Sequence, residues 1–105
     1  MAESRPAALV TGSASGIGRA TALFQVLAPE VRVNAVAPGW IAGEWMERTF
    51  GDNYERLMER RAAWTPRKRD VTVADVAETI FSLITSHPFV TGETVVIDGG
   101  YAATT

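Results

Sequence analysis

With 105 residues, 47% of them hydrophobic and 21% charged, the chain has the composition of a folded protein and the length of one domain at most. Ten basic and twelve acidic residues leave a net charge of −2, so no strong field invites nucleic acid, a polyphosphate or an anionic membrane. Cysteine is absent, which excludes disulfides and thiolate metal sites.

The opening Met-Ala-Glu-Ser-Arg-Pro has no apolar signal core, and no apolar run approaches the roughly 18 residues of a membrane span; the expectation is a cytoplasmic protein. Residues 7–11, apolar between Pro6 and Gly12, read as a buried strand. After a turn, Ile17, Ala20, Thr21, Phe24 and Leu27 recur at helical spacing, and Pro29 ends that helix or holds the preceding residue extended. Residues 31–36 form a second strand, with Val31, Val33 and Ala35 on one face and Arg32, Asn34 and Val36 on the other, stopped by Ala37-Pro38-Gly39. Residues 44–50 and 54–64 are helical in pattern and carry most of the charge, with Glu44 and Arg48 one turn apart. Thr72-x-x-Asp75 is a capping box with Asp in the usual Glu position. It opens a helix over 73–86 whose apolar stripe is Val76, Ala77, Ile80, Phe81, Leu83 and Ile84. His87-Pro88 closes the helix, residues 94–97 form a third strand, and Asp98-Gly99-Gly100 turns away. The pattern predicts an α/β fold of three short parallel strands (7–11, 31–36, 94–97) with helices between them, joined by right-handed crossovers. So small a sheet has open edges, which favour self-association through residues 73–102.

The turn after the first strand carries the clearest chemistry. Gly12, Gly16 and Gly18 lie between a strand and a helix start, where free N–H groups and the helix dipole favour an anion. Glycine also lets a pyrophosphate approach the backbone with no Cβ in the way. A Gly-rich turn that only packs helix on strand is the alternative reading of these residues taken alone. The run Val10-Thr11-Gly12-Ser13-Ala14-Ser15-Gly16-Ile17-Gly18 resembles the Thr-Gly-x-x-x-Gly-Ile-Gly turn of the short-chain dehydrogenase/reductase family. That resemblance implies a truncated Rossmann-like sheet and an NAD(P)-dependent oxidoreductase ancestry. It makes Gly12, Ser13, Ser15, Gly16, Ile17 and Gly18 the phosphate-binding candidates.

Two further segments carry the same resemblance. Arg32-Val33-Asn34-Ala35-Val36-Ala37-Pro38-Gly39-Trp40-Ile41 is similar to the family's strand and turn at the nicotinamide, which adds Pro38, Gly39 and Ile41 as cofactor candidates. Where the family commonly has a Thr two residues after that Ile, this chain has Gly43. Phe89-Val90-Thr91-Gly92-Glu93, followed by 94–97 and Asp98-Gly99-Gly100, resembles the family's closing strand, a segment that often builds a subunit interface. The implied partners are therefore a second copy of the chain or a full-length relative. Glu30 stands near the distance at which an acidic residue would read the adenosine ribose, but it precedes the second strand in an Ala-Pro-Glu turn; NAD and NADP are not separated.

What the family uses for chemistry is missing. Its reaction needs a Tyr with a Lys four residues on, because free Tyr titrates at about 10 and a cation one helical turn away brings it toward neutral pH. Here Tyr54 is followed at that distance by Met58 and Tyr101 by Thr105, while the one lysine, Lys68, has Trp64 four residues before it. The orienting Ser and the family's Asn-Ala-Gly segment are also absent, so no catalytic residue is assigned. Residues 23–27 read as the junction of an internal deletion, the start of one family helix running into the end of a later one. Trp40, Trp45 and Trp64 read as ordinary packing or leftover apolar surface rather than a substrate lid. Arg60-Arg61 and Arg67-Lys68-Arg69, interspersed with Glu55, Glu59 and Asp70, read as a solvated face. His87, the single histidine, reads as a helix C-terminal partner, and no metal site is expected.

Overall fold

A computed structural model describes residues 8–11 and 26–104. The glycine turn at 12–18, with Gly12, Ser13, Ser15, Gly16, Ile17 and Gly18, and most of the helix expected after it lie outside the described residues. The elements in chain order are β1 (Ala8–Thr11), β2 (Arg32–Pro38), α1 (Glu44–Phe50), a single 3₁₀ turn (Gly51–Asn53), α2 (Tyr54–Trp64), α3 (Val73–Thr85) and β3 (Thr94–Ile97). The strands form one sheet in the order β1-β2-β3, the α/β arrangement that the pattern predicts. β1 and β2 are parallel, in register from Ala8 opposite Arg32 to Thr11 opposite Ala35. Along the other side of β2, Ala35 N–H donates to Glu93 O at 2.8 Å and Gly39 N–H to Ile97 O at 2.9 Å. Residue numbers rise together on both chains, so this pair is parallel as well.

β2 runs two residues past its expected end. Pro38 has no N–H to give, but the register with β1 ends at Ala35, so the missing donor breaks no bond of that pair. The ladder to β3 passes through Gly39 instead.

The chain divides into two compact units, Met1–Ala37 with Ala77–Val95, and Pro38–Val76 with Val96–Thr105. In the first, Val33 and Ala35 are buried, and Leu27 and Val31 pack against them. The opposite face of β2 is buried too: Asn34 and Val36 are at 1% and 0% exposure. Both faces of a central parallel strand are covered, so simple alternation does not apply to it. Asn34 is tolerated there because its amide is satisfied. Its Nδ2 donates to Val90 O at 3.1 Å, and its Oδ1 accepts the N–H of Glu93 at 3.1 Å.

Arg32 reaches across to the end of α3. Its guanidinium donates to the carbonyls of Leu83 (3.0 Å), His87 (2.9 Å), Val90 (3.2 Å) and Ile84 (3.2 Å). Carbonyls of a last helical turn have no partner within the helix, and a cation there also meets the negative end of the dipole. His87 lies at the same helix end, with its Nε2 2.9 Å from Ser82 Oγ.

In the second unit Met46, Met58, Val71 and Thr65 are buried. The N-terminus of α3 is capped as the motif predicts: Thr72 N–H donates to Asp75 Oδ2 at 2.8 Å, and Asp75 N–H to Thr72 Oγ1 at 3.1 Å. Arg69 grips the same carboxylate with two bonds of 2.7 and 2.9 Å. The closing turn needs glycine: Gly99 has a φ of +65°, and a Cβ on it would meet Thr65 Cγ2 at 2.7 Å.

Candidate functional site

The described part of the candidate site is the loop that leaves β2. Gly39 is seated by its bond to Ile97, and a Cβ on it would stand 3.1 Å from Asp98 Cβ. Close packing against Asp98 thus accounts for glycine at this position. Two residues on, Ile41 forms a parallel bridge with Val71, carried by Ala42 N–H donating to Val71 O at 2.9 Å. A bridge of this pattern turns the N–H and C=O of Ile41 itself to the other side, and neither has a partner among the described residues. A carboxamide presents the complementary acceptor and donor, so the residues present fit the nicotinamide end of a dinucleotide. Gly43 offers no hydroxyl there. Its N–H donates to the Tyr54 hydroxyl at 3.2 Å.

Ile41 opens onto a cleft of about 580 Å³ whose walls are largely apolar, among them Trp40, Trp45, Met46, Phe50 and Val73. Of the three tryptophans, Trp40 is a packing residue: it stacks on Phe50 with ring centroids 5.2 Å apart and planes 20° from parallel. Trp45 and Trp64 are 70% and 73% exposed, leftover apolar surface rather than packing residues. They stand on surface turns of α1 and at the end of α2, where nothing described covers them.

The basic residues also depart from a uniformly solvated face. Arg61 places its guanidinium carbon 4.2 Å from the Trp40 ring centre and 4.0 Å from that of Tyr101. Lys68 donates to Ala63 O at 2.7 Å, serving a carbonyl near the end of α2. Asp70 shares a small recess with Arg61, Thr65 and Asp98. Burial raises the Asp70 carboxyl above its ordinary value, and the nearby Arg61 charge opposes that rise. No sequence signal points to the Arg61 pairing, because its two rings lie 21 and 40 positions away in the chain.

Comparison with known proteins places this geometry in a family. Residues 12–102 match the family model described as enoyl-(acyl carrier protein) reductase, and the chain belongs to the short-chain dehydrogenase/reductase family. Among the proteins it resembles is an A-factor type gamma-butyrolactone 1'-reductase from Streptomyces virginiae, 38% identical over 74 residues that make up 68% of this chain and 28% of that one. A short-chain dehydrogenase/reductase from Brucella melitensis, a glucose/ribitol dehydrogenase, superposes with a TM-score of 0.73 at 26% identity, over 90% of this chain and 44% of the other. The ligand-free aldohexose dehydrogenase of Thermoplasma acidophilum shares the fold with a TM-score of 0.86 at 21% identity, over 95% of this chain and 49% of that one. The chain spans about 30% of the length of the curated relatives it matches. Among the described residues, no helix is long and apolar enough to cross a membrane.

Proposed function

We propose that this member of an oxidoreductase family keeps a remnant of the dinucleotide site and performs no hydride transfer by itself. The observation that carries the reading is the fate of the groups an acid/base step would need. The Tyr54 hydroxyl accepts from Gly43 N–H, the Tyr101 ring lies against Arg61, and the amine of Lys68 serves Ala63 O. No Tyr-x-x-x-Lys occurs in the sequence. Losing positioned acid/base groups costs roughly 10²–10⁴-fold in rate. The segment that would carry them in the family is read here as deleted at residues 23–27.

The ligand of the remnant is NAD or NADP, held weakly. Its pyrophosphate takes backbone donors from Gly12, Ser13, Ser15, Gly16, Ile17 and Gly18, and its carboxamide meets the free backbone groups of Ile41 beside Pro38 and Gly39. A bound nicotinamide would supply the hydride acceptor or donor. This chain's residues bind and orient it, and none is assigned to move the accompanying proton.

Purified protein, assayed with NAD or NADP against a panel of alcohols and ketones, should give no cofactor-dependent turnover. Titration of NAD and ADP followed by NMR should shift amides 12–19 first and, with NAD only, Ile41. Turnover that disappears when this chain is mutated, or tight binding without shifts at 12–19, would overturn the reading.

A second reading is favoured by apolar surface: an assembly module that pairs with another copy or with a full-length relative. Phe89 is fully exposed, Phe81 is 68% exposed on α3, and Val96 is 55% exposed on the edge strand β3. Such a module would act in a cytoplasmic, soluble assembly.

A further inference from the structure

Beside the loop that leads to Ile41, and separate from the nucleotide reading, lies a second cleft of about 360 Å³ lined by Trp40, Leu57, Arg60, Arg61, Trp64 and Tyr101. Its chemistry is unlike that of the apolar cleft at Ile41. Arg61 is half-buried, and Trp40 and Tyr101 lie against its guanidinium at 4.2 and 4.0 Å. Those contacts fix the plane of the cation. They leave its N–H edge unclaimed: the side chain makes no hydrogen bond or ion pair with any described residue. A guanidinium immobilised in this way keeps a planar fork of donors that matches two oxygens side by side. Arg60 adds a second positive charge to the same wall. The remaining walls are flat and apolar, and Trp64, at 73% exposure, has a free ring face. That face suits a planar ring, which would gain stacking contact while covering the indole. The acidic residues beside Arg61, Asp70 and Asp98, line the neighbouring recess and not this cleft.

We propose that this cleft binds a planar aromatic carboxylate, with the carboxylate on the Arg61 fork and the ring against Trp64. The tryptophans provide built-in reporters, because Trp64 lines only this cleft, Trp45 lines only the other one, and Trp40 stands between the two. The test is an NMR titration of the full chain with 2-naphthoate, its neutral analogue 2-naphthamide, and acetate, following the indole N–H signals. The expected result is saturable shifts of the Trp40 and Trp64 indoles, with a midpoint below about 1 mM, and an undisturbed Trp45. 2-Naphthoate should bind about tenfold more tightly than 2-naphthamide, the scale of a charge-assisted bond in a partly exposed site. Acetate should bind still more weakly, since it has no ring. In Arg61→Gln the preference for the acid should vanish, and Arg61→Lys should recover only a minor part of it because a lysine lacks the fork. Equal affinity for 2-naphthoate and 2-naphthamide in the unaltered chain would overturn the proposal whether or not the variants fold. So would shifts centred on Trp45, or the absence of saturable shifts.

Discussion

Thr72 and Asp75 close a reciprocal cap in which each side chain takes the other's backbone N–H. Replacing Thr72 by Ala should therefore destabilise the fold by about 1 kcal/mol, read as a lower urea midpoint with an unchanged slope. The cap also has a pH signature. Bonds from Arg69 first, then from the Thr72 N–H and hydroxyl, hold the Asp75 carboxyl well below the usual carboxylate range. A folded-state pKa below the unfolded one means that the unfolded chain binds the proton more readily. The contribution is thus fully present above about pH 4, the unfolded value, and is lost as pH falls below it. Asp75→Asn should lower the urea midpoint clearly at pH 7; the gap should begin to narrow as pH falls below about 4 and close only well below pH 3, toward the depressed folded-state value. Asp70 works with the opposite sign. Its carboxyl is raised chiefly by burial, so what it contributes is present at low pH and is lost as pH rises through the raised value. A gap for Asp75→Asn that widened toward acid would show that the Arg69 contact does not hold the charge.

α3 depends on a residue from another element. Four carbonyls at and beyond its C-terminal turn converge on Arg32, which lies on β2 more than fifty positions earlier in sequence. Its apolar stripe is incompletely covered: Leu83 is buried, while Phe81 and Ile84 are 68% and 37% exposed. With so little burial to hold the helix end, the cap should matter. Arg32→Met, which keeps the apolar stem and removes the donors, should cost about 2 kcal/mol, since bonds to a charged donor are worth more than neutral ones and several carbonyls lose their partner together. The loss should appear first as faster amide exchange over residues 83–92, before any change in β1 or β2. Uniform loss of protection across all the strands would mean that Arg32 supports the sheet and not the helix end.

At the scale of the molecule, the exposed apolar residues set the behaviour in solution. Val26 at 76%, Phe89 at 100% and Phe81 at 68% are more exposed than such residues are when they form part of a core, and β3 is an edge of the sheet. The expected state is a homodimer or larger species at micromolar concentration, so that stability rises with protein concentration. Light scattering over a hundredfold dilution should record a falling mass, and Phe89→Ser together with Phe81→Ser should shift the balance to monomer. A cooperative monomer of unchanged melting temperature throughout the dilution would refute this expectation.

Whatever depends on a few neighbouring residues was legible in the chain itself. Helices at 44–50 and 54–64 have the bounds that their spacing predicts, and the α3 cap forms because donor and acceptor are three residues apart. The strand at 94–97 and the Asp98-Gly99-Gly100 turn are as local, the latter closed by Asp98 Oδ1 accepting from Gly100 N–H at 2.9 Å. Family membership was legible for the same reason, since it rests on short ordered motifs. The candidate nicotinamide contact was named from Pro38-Gly39-Trp40-Ile41, but that Ile41 has free backbone groups was decided by Val71, thirty positions on. Tertiary structure alone placed Arg32 at the end of α3, buried a satisfied Asn34, and set Arg61 against Trp40 and Tyr101. Each of these joins groups from separate elements. A charged or amide side chain has the same local signature whether it faces water or finds carbonyls and rings brought to it by the fold, so its partner is decided only when the strands and helices are packed.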